Sequence, residues 1–269
     1  MRRSLVVVVT ALALLVLALP VGAIVGGELD GEGHPNVGLV ILTLDGDPQW
    51  RCSGTLVAPR VFLTAGHCVE EGVNGAWVWF DTDLTGNPDY PDGGPSAYAG
   101  TPIIHPEYGQ GGSDPHDVGI VILDEPVLDI EPALLPTPDL LAQLKKDRIL
   151  RAGGPDGATF TLVGYGGQLA SWPPAELYYD LIRRVAEGEY VALTKPWLHL
   201  AQRAVFDEGG TCGGDSGGPT FWVDPEGNEI VVAVTSWGDP MCVATGFNYR
   251  VDRSDTLQWI YDQFPVDGE

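Results

Sequence analysis

Short apolar segments separated by turn residues recur along the chain from Ile24 onward, and they limit its fold more than any other feature. Most of them are rich in Val, Ile, Thr and aromatic residues, with Gly, Pro, Asn or Asp between them. This spacing is typical of an all-β sandwich or barrel, and the long helices that a parallel α/β sheet needs between its strands are missing. The segments are 37–44, 54–64, 76–80, 118–123, 159–163, 230–236 and 246–251.

Two helices are predicted in the second half of the chain. Residues 138–148 begin with a proline and an acid and end with bases, as the helix dipole prefers. Residues 254–264 begin at a Ser cap and have four apolar or aromatic side chains on one face. The proline-rich residues 124–138 are the best candidate for a linker between two halves.

The first 23 residues predict a cleaved secretory signal. Two arginines precede an apolar run from Leu5 to Leu19, and Val21-Gly22-Ala23 supplies the small residues of a cleavage site. The alternative is a membrane anchor, but a run of about 15 residues is shorter than the roughly 20 that span a bilayer. Export to an oxidising compartment would make disulfides the expected state of the four cysteines, which permit three pairings.

The chain is strongly acidic, with 37 Asp and Glu against 14 Lys and Arg and a net charge of −23. This charge argues against nucleic acid or an anionic membrane as a partner. It favours solubility, and attraction of basic substrates is the weaker alternative.

Residues 81–92, DTDLTGNPDYPD, loosely resemble a calcium loop. Four aspartates surround Gly86, but two prolines fit such a loop badly and no helices are evident beside it. A solvated acidic turn is the favoured interpretation, so no cofactor or metal is expected. The aspartates are Asp81, Asp83, Asp89 and Asp92.

Three short strings carry candidate catalytic residues: LTAGHC (63–68), HDVGIVIL (116–123) and GDSGGP (214–219). A Gly-x-Ser-x-Gly string also occurs at the nucleophile elbow of α/β-hydrolases, in which the nucleophile comes first and the histidine last. Here the order along the chain is His67, Asp117, Ser216, which is that of the chymotrypsin template.

With the N-terminal IVGG (24–27) and SWG (236–238), these strings make the chain resemble a trypsin/chymotrypsin-type serine protease over about 240 residues. The resemblance implies two six-stranded antiparallel β-barrels with the active site between them. The protease domain would cover 24–269, with the first barrel in about 24–130, the second in about 138–253, and a C-terminal helix in 254–264.

The resemblance also implies catalytic roles. Ser216 would attack the scissile carbonyl, His67 would accept and return its proton, and Asp117 would orient His67. The backbone N–H groups of Gly214 and Ser216 would form the oxyanion hole. Asp215 would pair with the free α-amino group of Ile24 once the chain is cleaved after Ala23. Because no spacer separates these residues, we expect signal cleavage itself to release the active enzyme.

The resemblance pairs Cys52 with Cys68, beside the catalytic histidine, and Cys212 with Cys242, beside the catalytic serine. It places a substrate backbone along Ser236, Trp237 and Gly238 as an added strand. The remaining pocket positions are Gly210 at the floor, Thr211 at the base, and Gly238 and Gly246 on the walls. Because Gly210 replaces the aspartate that accompanies cleavage after Arg or Lys, the pocket is expected to take large apolar or aromatic side chains.

The expected function is therefore that of a secreted, monomeric serine endopeptidase acting on peptides or proteins through an acyl-enzyme intermediate. It would have no stable membrane association after signal cleavage. The competing class is a binding protein with a protease-like fold that has lost activity. His34, His105 and His199 are expected at the surface or in loops, without a catalytic role.

Overall fold

The protein is described by a computed structural model that covers residues 25–70, 72–154, 156–171, 176–203 and 209–264, with only the backbone for 169–171 and 176. The predicted signal segment 1–23 and Ile24 lie outside the described residues. Among the described residues, no helix has both the length and the apolar character needed to cross a membrane.

The first half of the chain closes into a six-stranded antiparallel barrel. Each strand of the barrel pairs with two neighbours, in the order β2-β3-β4-β7-β6-β5, so that no edge is left open. The strands are β2 (Val37–Leu44), β3 (Asp47–Ala58), β4 (Val61–Thr64), β5 (Gly75–Trp79), β6 (Tyr98–Ile104) and β7 (Gly119–Leu123).

The second half forms another antiparallel barrel of six strands, which closes through the pairing of β8 with β11. A short strand β1 near the start of the chain adds to the outside of β11, and β9 and β10 form a separate hairpin. The strands are β1 (Glu28–Leu29), β8 (Thr159–Gly164), β9 (Gln168–Ser171), β10 (Glu176–Tyr178), β11 (Arg184–Leu193), β12 (Trp197–Ala201), β13 (Pro219–Val223), β14 (Glu229–Gly238) and β15 (Thr245–Arg250).

Strand β2 explains how two barrels share one core. Its side chains alternate between the two faces of the sheet, and all but the last residue are buried. Val37 and Leu39 pack in the cluster that also contains Tyr249 from the second barrel, whereas Val40 and Leu42 fill the interior of the first barrel. Strand β2 is therefore a continuous apolar run rather than an alternating one, because both of its faces are covered.

The two predicted helices are present but shorter than expected. Helix α1 covers Leu140–Lys146 and helix α2 covers Ser254–Asp262. Arg253, not Ser254, is the N-cap of α2, and its Tyr261 is 47% exposed although Leu257 and Ile260 are buried. The apolar face of α2 is thus narrower than the sequence pattern suggested. Residues 124–138 contain no helix or strand beyond a single bridge from Leu134 to Ile230.

The two-barrel architecture confirms the predicted fold class. Four of the barrel strands, β6, β11, β12 and β13, were not among the seven predicted segments, nor were the short strands β1, β9 and β10. In β11, buried and more exposed residues alternate, so the strand lacks the continuous apolar run that marks strands such as β2.

Candidate active site

The turn that follows β4 positions His67. Residues Gly66–Cys68 form one turn of 3-10 helix, which brings the ring of His67 to the mouth of the first barrel. The side chain of His67 is 32% exposed, so a substrate can reach one edge of the ring. The other edge is held by Asp117, which stands two residues before β7.

Asp117 holds His67 through both backbone and side chain. Its Oδ1 accepts a hydrogen bond of 2.8 Å from the backbone N of His67, and its Oδ2 lies 3.0 Å from Nδ1 of the ring. The hydroxyl of Ser236, on β14 of the second barrel, donates to the same Oδ2. The carboxylate thus fixes the orientation of the histidine and joins the two barrels beneath it.

The electrostatics of this pair favour a charged ring. Burial alone would lower the pKa of His67, but the hydrogen bond and negative charge of Asp117 outweigh burial, and the pKa is raised. Burial would likewise raise the pKa of Asp117, yet the bonds from His67 and Ser236 hold it below its usual value. The pair therefore stabilises the imidazolium that a general base forms when it accepts a proton.

Ser216 lies in a turn that enters β13 of the second barrel. Gly214 has a φ of 94°, a left-handed conformation that a residue with a side chain adopts only at a cost. The hydroxyl of Ser53 donates to the carbonyl of Gly214 (2.9 Å), and the backbone N of Ser53 donates to the carbonyl of Ser216 (2.9 Å). Ser53 thereby anchors the turn to the first barrel, a role that nothing in the sequence indicates beyond its position next to Cys52.

The backbone donors of this turn divide into two groups. The N–H groups of Asp215, Gly217 and Gly218 bond to carbonyls within the protein. In the described part of the chain, the N–H groups of Gly214 and Ser216 have no such acceptor. Two free N–H groups beside a serine hydroxyl are the donors that an oxyanion requires. No hydrogen bond within the described residues joins Oγ of Ser216 to the ring of His67, a contact that often forms only with substrate.

Asp215 is completely buried beneath the turn. Its carboxylate accepts hydrogen bonds from the backbone N of Gly166 (2.7 Å) and of Cys212 (2.8 Å). Burial raises its pKa to about 7, although these two bonds and the charge of Arg51 act in the opposite direction. Within the described ranges, the compensation for burying this acid is therefore small, and a strong cationic partner would stabilise it.

Ile24, the predicted partner of Asp215, lies outside the described residues. The next residue, Val25, is described and is buried in the second half of the molecule. Val25 is 1% exposed, bridges to Gly210, and accepts a hydrogen bond of 2.9 Å from the backbone N of that residue. It packs against the disulfide of Cys212 and Cys242. Val25 therefore lies beside Cys212, whose backbone N–H bonds to the carboxylate of Asp215.

Both predicted disulfides are present. Cys52 bonds to Cys68 and Cys212 to Cys242, and no free cysteine remains. The first joins β3 to the turn of His67, and the second joins the turn of Ser216 to the loop that follows β14. Each disulfide thus restrains a loop that carries a candidate catalytic residue.

The cleft beside His67 is lined by residues that the sequence did not reveal. A cavity of about 360 Å³ lies between His67 and Trp237, and Tyr108, Pro115 and Trp197 complete its walls. The hydroxyl of Tyr108 donates to Glu70 (3.3 Å), and burial raises its pKa to about 12. Trp237 is 51% exposed and stacks on Phe247 at 4.0 Å between ring centroids, so it offers a flat apolar surface to a substrate.

A second cavity of about 230 Å³ adjoins Ser216 and shares Ser236 and Trp237 with the first. Of the predicted pocket residues, Thr211 and Gly238 line it, whereas Gly210 and Gly246 lie deeper and are not part of its wall. Asp239 is at its rim, but four backbone N–H groups of residues 241–245 already bond to the carboxylate. Among the described residues that line the pocket, Asp239 is the one acid, and its carboxylate is held by these backbone bonds.

The predicted acidic turn does not bring its aspartates into one group. Asp83 bonds to the backbone N of Thr85, and Asp89 to that of Ser96. Within the described ranges, two sets of three donor groups come within 4.8 Å of one another, and neither includes these aspartates. The sets are Cys52, His67 and Cys68, whose sulfurs form a disulfide, and His105, Glu107 and His116.

Comparison with known proteins assigns the family. The family model described as Trypsin matches residues 32–260. The chain belongs to the trypsin family. It is 29% identical over 229 residues to "Trypsin" of Saccharopolyspora erythraea, covering 80% of this chain and 87% of that protein. It is 27% identical over 241 residues to "Lectizyme" of Glossina austeni, covering 84% of this chain and 80% of that protein.

Some relatives are much longer. "Transmembrane protease serine 9" of Rattus norvegicus is 27% identical over 202 residues, which are 71% of this chain and 17% of that protein. The shared part is thus the protease domain, and the protease described here is a serine-type endopeptidase with peptide or protein substrates.

Proposed function

We propose that this protease hydrolyses peptide bonds through the triad of Ser216, His67 and Asp117 and an acyl-enzyme intermediate. The supporting observation is the carboxylate of Asp117, which bonds to both the backbone and the ring of His67. The cavity that this pair lines shares Ser236 and Trp237 with the cavity that Ser216 lines. Ser216 would attack the carbonyl carbon while His67 takes its proton. The same proton would then pass to the leaving amine, and water would repeat the sequence to release the acid.

The free N–H groups of Gly214 and Ser216 are proposed to stabilise the tetrahedral oxyanion. Because they are held by the turn before any substrate binds, they need no reorganisation as charge develops on the oxygen. Each such donor contributes roughly 10²–10³ in rate.

Activation is proposed to follow export. Cleavage after Ala23 would give Ile24 a free ammonium group to pair with buried Asp215. In support, the next residue, Val25, packs against Cys212, whose backbone N–H bonds to that carboxylate. Two disulfides and the apolar segment at 5–19 support secretion of the mature chain. Mass spectrometry of the exported protein tests this: a mature chain that begins upstream of Ile24 would exclude activation by signal cleavage alone.

For the residue on the acyl side of the scissile bond, called P1, we propose an uncharged side chain. Among the described lining residues, Asp239 is the one acid, and backbone N–H groups bond to its carboxylate. The large apolar or aromatic P1 residue stays a prediction of the sequence, and peptides that differ only at P1 test it. Rapid cleavage after Arg with none after uncharged residues would overturn the proposal.

A fluorophosphonate probe tests the catalytic assignment. We expect it to label the mature protein at Ser216 and to leave Ser216→Ala unlabelled, with a kcat lower by on the order of 10⁶. Ser113→Ala, which removes an exposed serine, is the matched control and should label fully. Absence of labelling in the mature wild-type protein would instead favour a binding protein with a protease fold.

A further inference from the structure

Gln202 is a buried residue that directly follows β12 and that no sequence motif assigns to the site. Its backbone N donates to the carbonyl of Ala244 (3.2 Å), which ties it to the segment leading into β15. The residue is 2% exposed. A glutamine buried to this extent is uncommon unless its amide is hydrogen-bonded.

The side-chain amide of Gln202 lies between the two glycines expected to form the pocket walls. Gly238 and Gly246 face each other across β14 and β15. A Cβ added to Gly246 would stand 2.8 Å from Oε1 of Gln202, and one added to Gly238 would stand 3.4 Å from Nε2. A Cβ on Gly210 would overlap the stem of the same side chain. Gln202 thus occupies the space that these three glycines leave open.

This position accounts for the shape of the cavity next to Ser216. Thr211 and Gly238 line the cavity, whereas Gly210, Gly246 and the buried Gln202 do not; the side chain of Gln202 lies where Cβ atoms on the three glycines would point. The remaining space of about 230 Å³ is the outer part of the pocket. A long aromatic side chain needs the inner part as well.

The amide of Gln202 also has a hydrogen-bond donor that lacks an acceptor among the described residues. Nε2 of Gln202 is a buried donor without an acceptor in the described structure. Such a group is costly unless a ligand or water supplies the acceptor. Its neighbour in the pocket is the hydroxyl of Thr211, which would lie 3.5 Å from a Cβ on Gly246, so a second polar group borders the same space.

We propose that Gln202 is the floor of the P1 pocket and selects substrates whose P1 side chain is a carboxamide, glutamine or asparagine. This inference rests on the proposed function. The P1 carbonyl would accept a hydrogen bond from Nε2 of Gln202, and the P1 NH₂ would donate to Oε1 of Gln202 or to Thr211. An aromatic P1 side chain would reach the floor without an acceptor and leave the donor unpaired. A basic P1 side chain would find no carboxylate among the described residues of the floor to pair with its charge.

Peptides that share one sequence and carry Gln, Asn, Leu, Phe or Arg at P1 test this, with kcat/KM as the readout. We expect the wild-type protease to favour Gln or Asn over Phe by at least about 10-fold, the order of magnitude of one matched neutral hydrogen bond. Gln202→Met keeps the floor but removes the amide, and it should lose the preference for carboxamides without admitting Phe. Gln202→Gly should open the inner pocket and raise kcat/KM for Phe by a similar factor.

Gln258→Met, at an exposed glutamine on α2, is the matched control and should keep the wild-type profile. The fluorophosphonate probe is applied to every variant, so loss of catalysis is distinguished from altered selection. A wild-type preference for Phe over Gln would overturn the inference, as would a Gln202→Met variant with an unchanged Gln-to-Phe ratio. The wild-type profile decides the matter even if a variant does not fold.

Discussion

The buried carboxylate of Asp215 should make the stability of the chain depend on whether Ile24 is a free N-terminus. We compare a chain that begins at Val21 with one that begins at Ile24, both as Ser216→Ala to prevent self-cleavage. In the longer chain the carboxyl has no ammonium of Ile24 to pair with, and burial raises its pKa to about 7. In the shorter chain the ammonium of Ile24 can pair with it.

The direction in which stability changes with pH follows from the number of protons that the folded and unfolded states bind. An acid whose folded pKa is raised from 3.8 to about 7 still holds its proton over a pH range in which the unfolded chain has released it. The folded state then binds more protons, so stability falls as pH rises through that range and is level above it. Between pH 5 and pH 8 the longer chain should lose about 2–3 kcal/mol of unfolding free energy through Asp215 alone.

Asp215→Asn tests this with opposite expectations in the two chains. In the longer chain at pH 8, asparagine removes an uncompensated buried charge and should stabilise the fold by about 2–3 kcal/mol. In the chain that begins at Ile24, the same substitution leaves a buried ammonium unpaired and should destabilise it by about 3–5 kcal/mol. The only difference between the chains is three residues.

Urea unfolding followed by tryptophan fluorescence measures all four proteins at pH 5 and pH 8. Other groups that titrate in this range contribute equally to wild type and variant, so the difference between them isolates Asp215. An effect of Asp215→Asn with the same sign in both chains would refute the proposed pairing. A longer chain whose pH dependence is unaffected by the substitution would refute the raised pKa.

Three further predictions rest on other contacts. Because the pKa of His67 is raised, kcat/KM should reach half its maximum above pH 6.5, and a pH–rate profile with a lower midpoint would contradict this. Replacing Cys52 and Cys68 by Ser opens a loop closed at a separation of 16 residues, which should cost about 3 kcal/mol in urea unfolding; an unchanged midpoint would argue against it. Burial alone would lower the pKa of His34, but its bonds to Asp30 and Glu229 outweigh burial and raise the pKa to about 9. The charged ring therefore stabilises the fold fully below pH 6.5, and this contribution is lost as pH rises through 9. His34→Asn should therefore lower stability by about 2–3 kcal/mol at pH 6 and much less at pH 10, and equal losses at both pH values would count against the ion pair.

The parts of the molecule that the sequence predicted share a physical property, in that each is encoded by neighbouring residues. A strand buried on both faces is a continuous apolar run, as in Val37–Leu44, and is visible without knowledge of its partners. The turn of Ser216 needs glycine at position 214, where φ is 94°, so the turn can be recognised from the five consecutive residues 214–218. Local patterns of this kind are sufficient to predict the fold class and the protease family, and the family resemblance in turn predicts both disulfides.

What the sequence did not predict depends on residues that are distant along the chain. His34 was expected at the surface or in a loop, and it lies in the loop before β2, yet its ring bonds to Asp30 and to Glu229, which is 195 residues away. Buried Arg183 extends this network, since it bonds to Asp30 (2.7 Å) and to the hydroxyl of Tyr165 (3.2 Å). A charge placed in such a network has no local pattern, because its burial is decided by which strands the barrels bring together.

The pocket illustrates the same limit for specificity. The expectation of a large apolar P1 residue followed from glycine at positions 210, 238 and 246, on the reasoning that small residues leave a slot open. Small residues also permit a neighbouring side chain to enter, and Gln202 does so from the end of β12, eight residues before Gly210. A glycine therefore predicts free volume without saying what fills it. In this protease, the filling residue has an amide donor that is unpaired among the described residues, and in the proposal made above the side chain of the substrate supplies its acceptor.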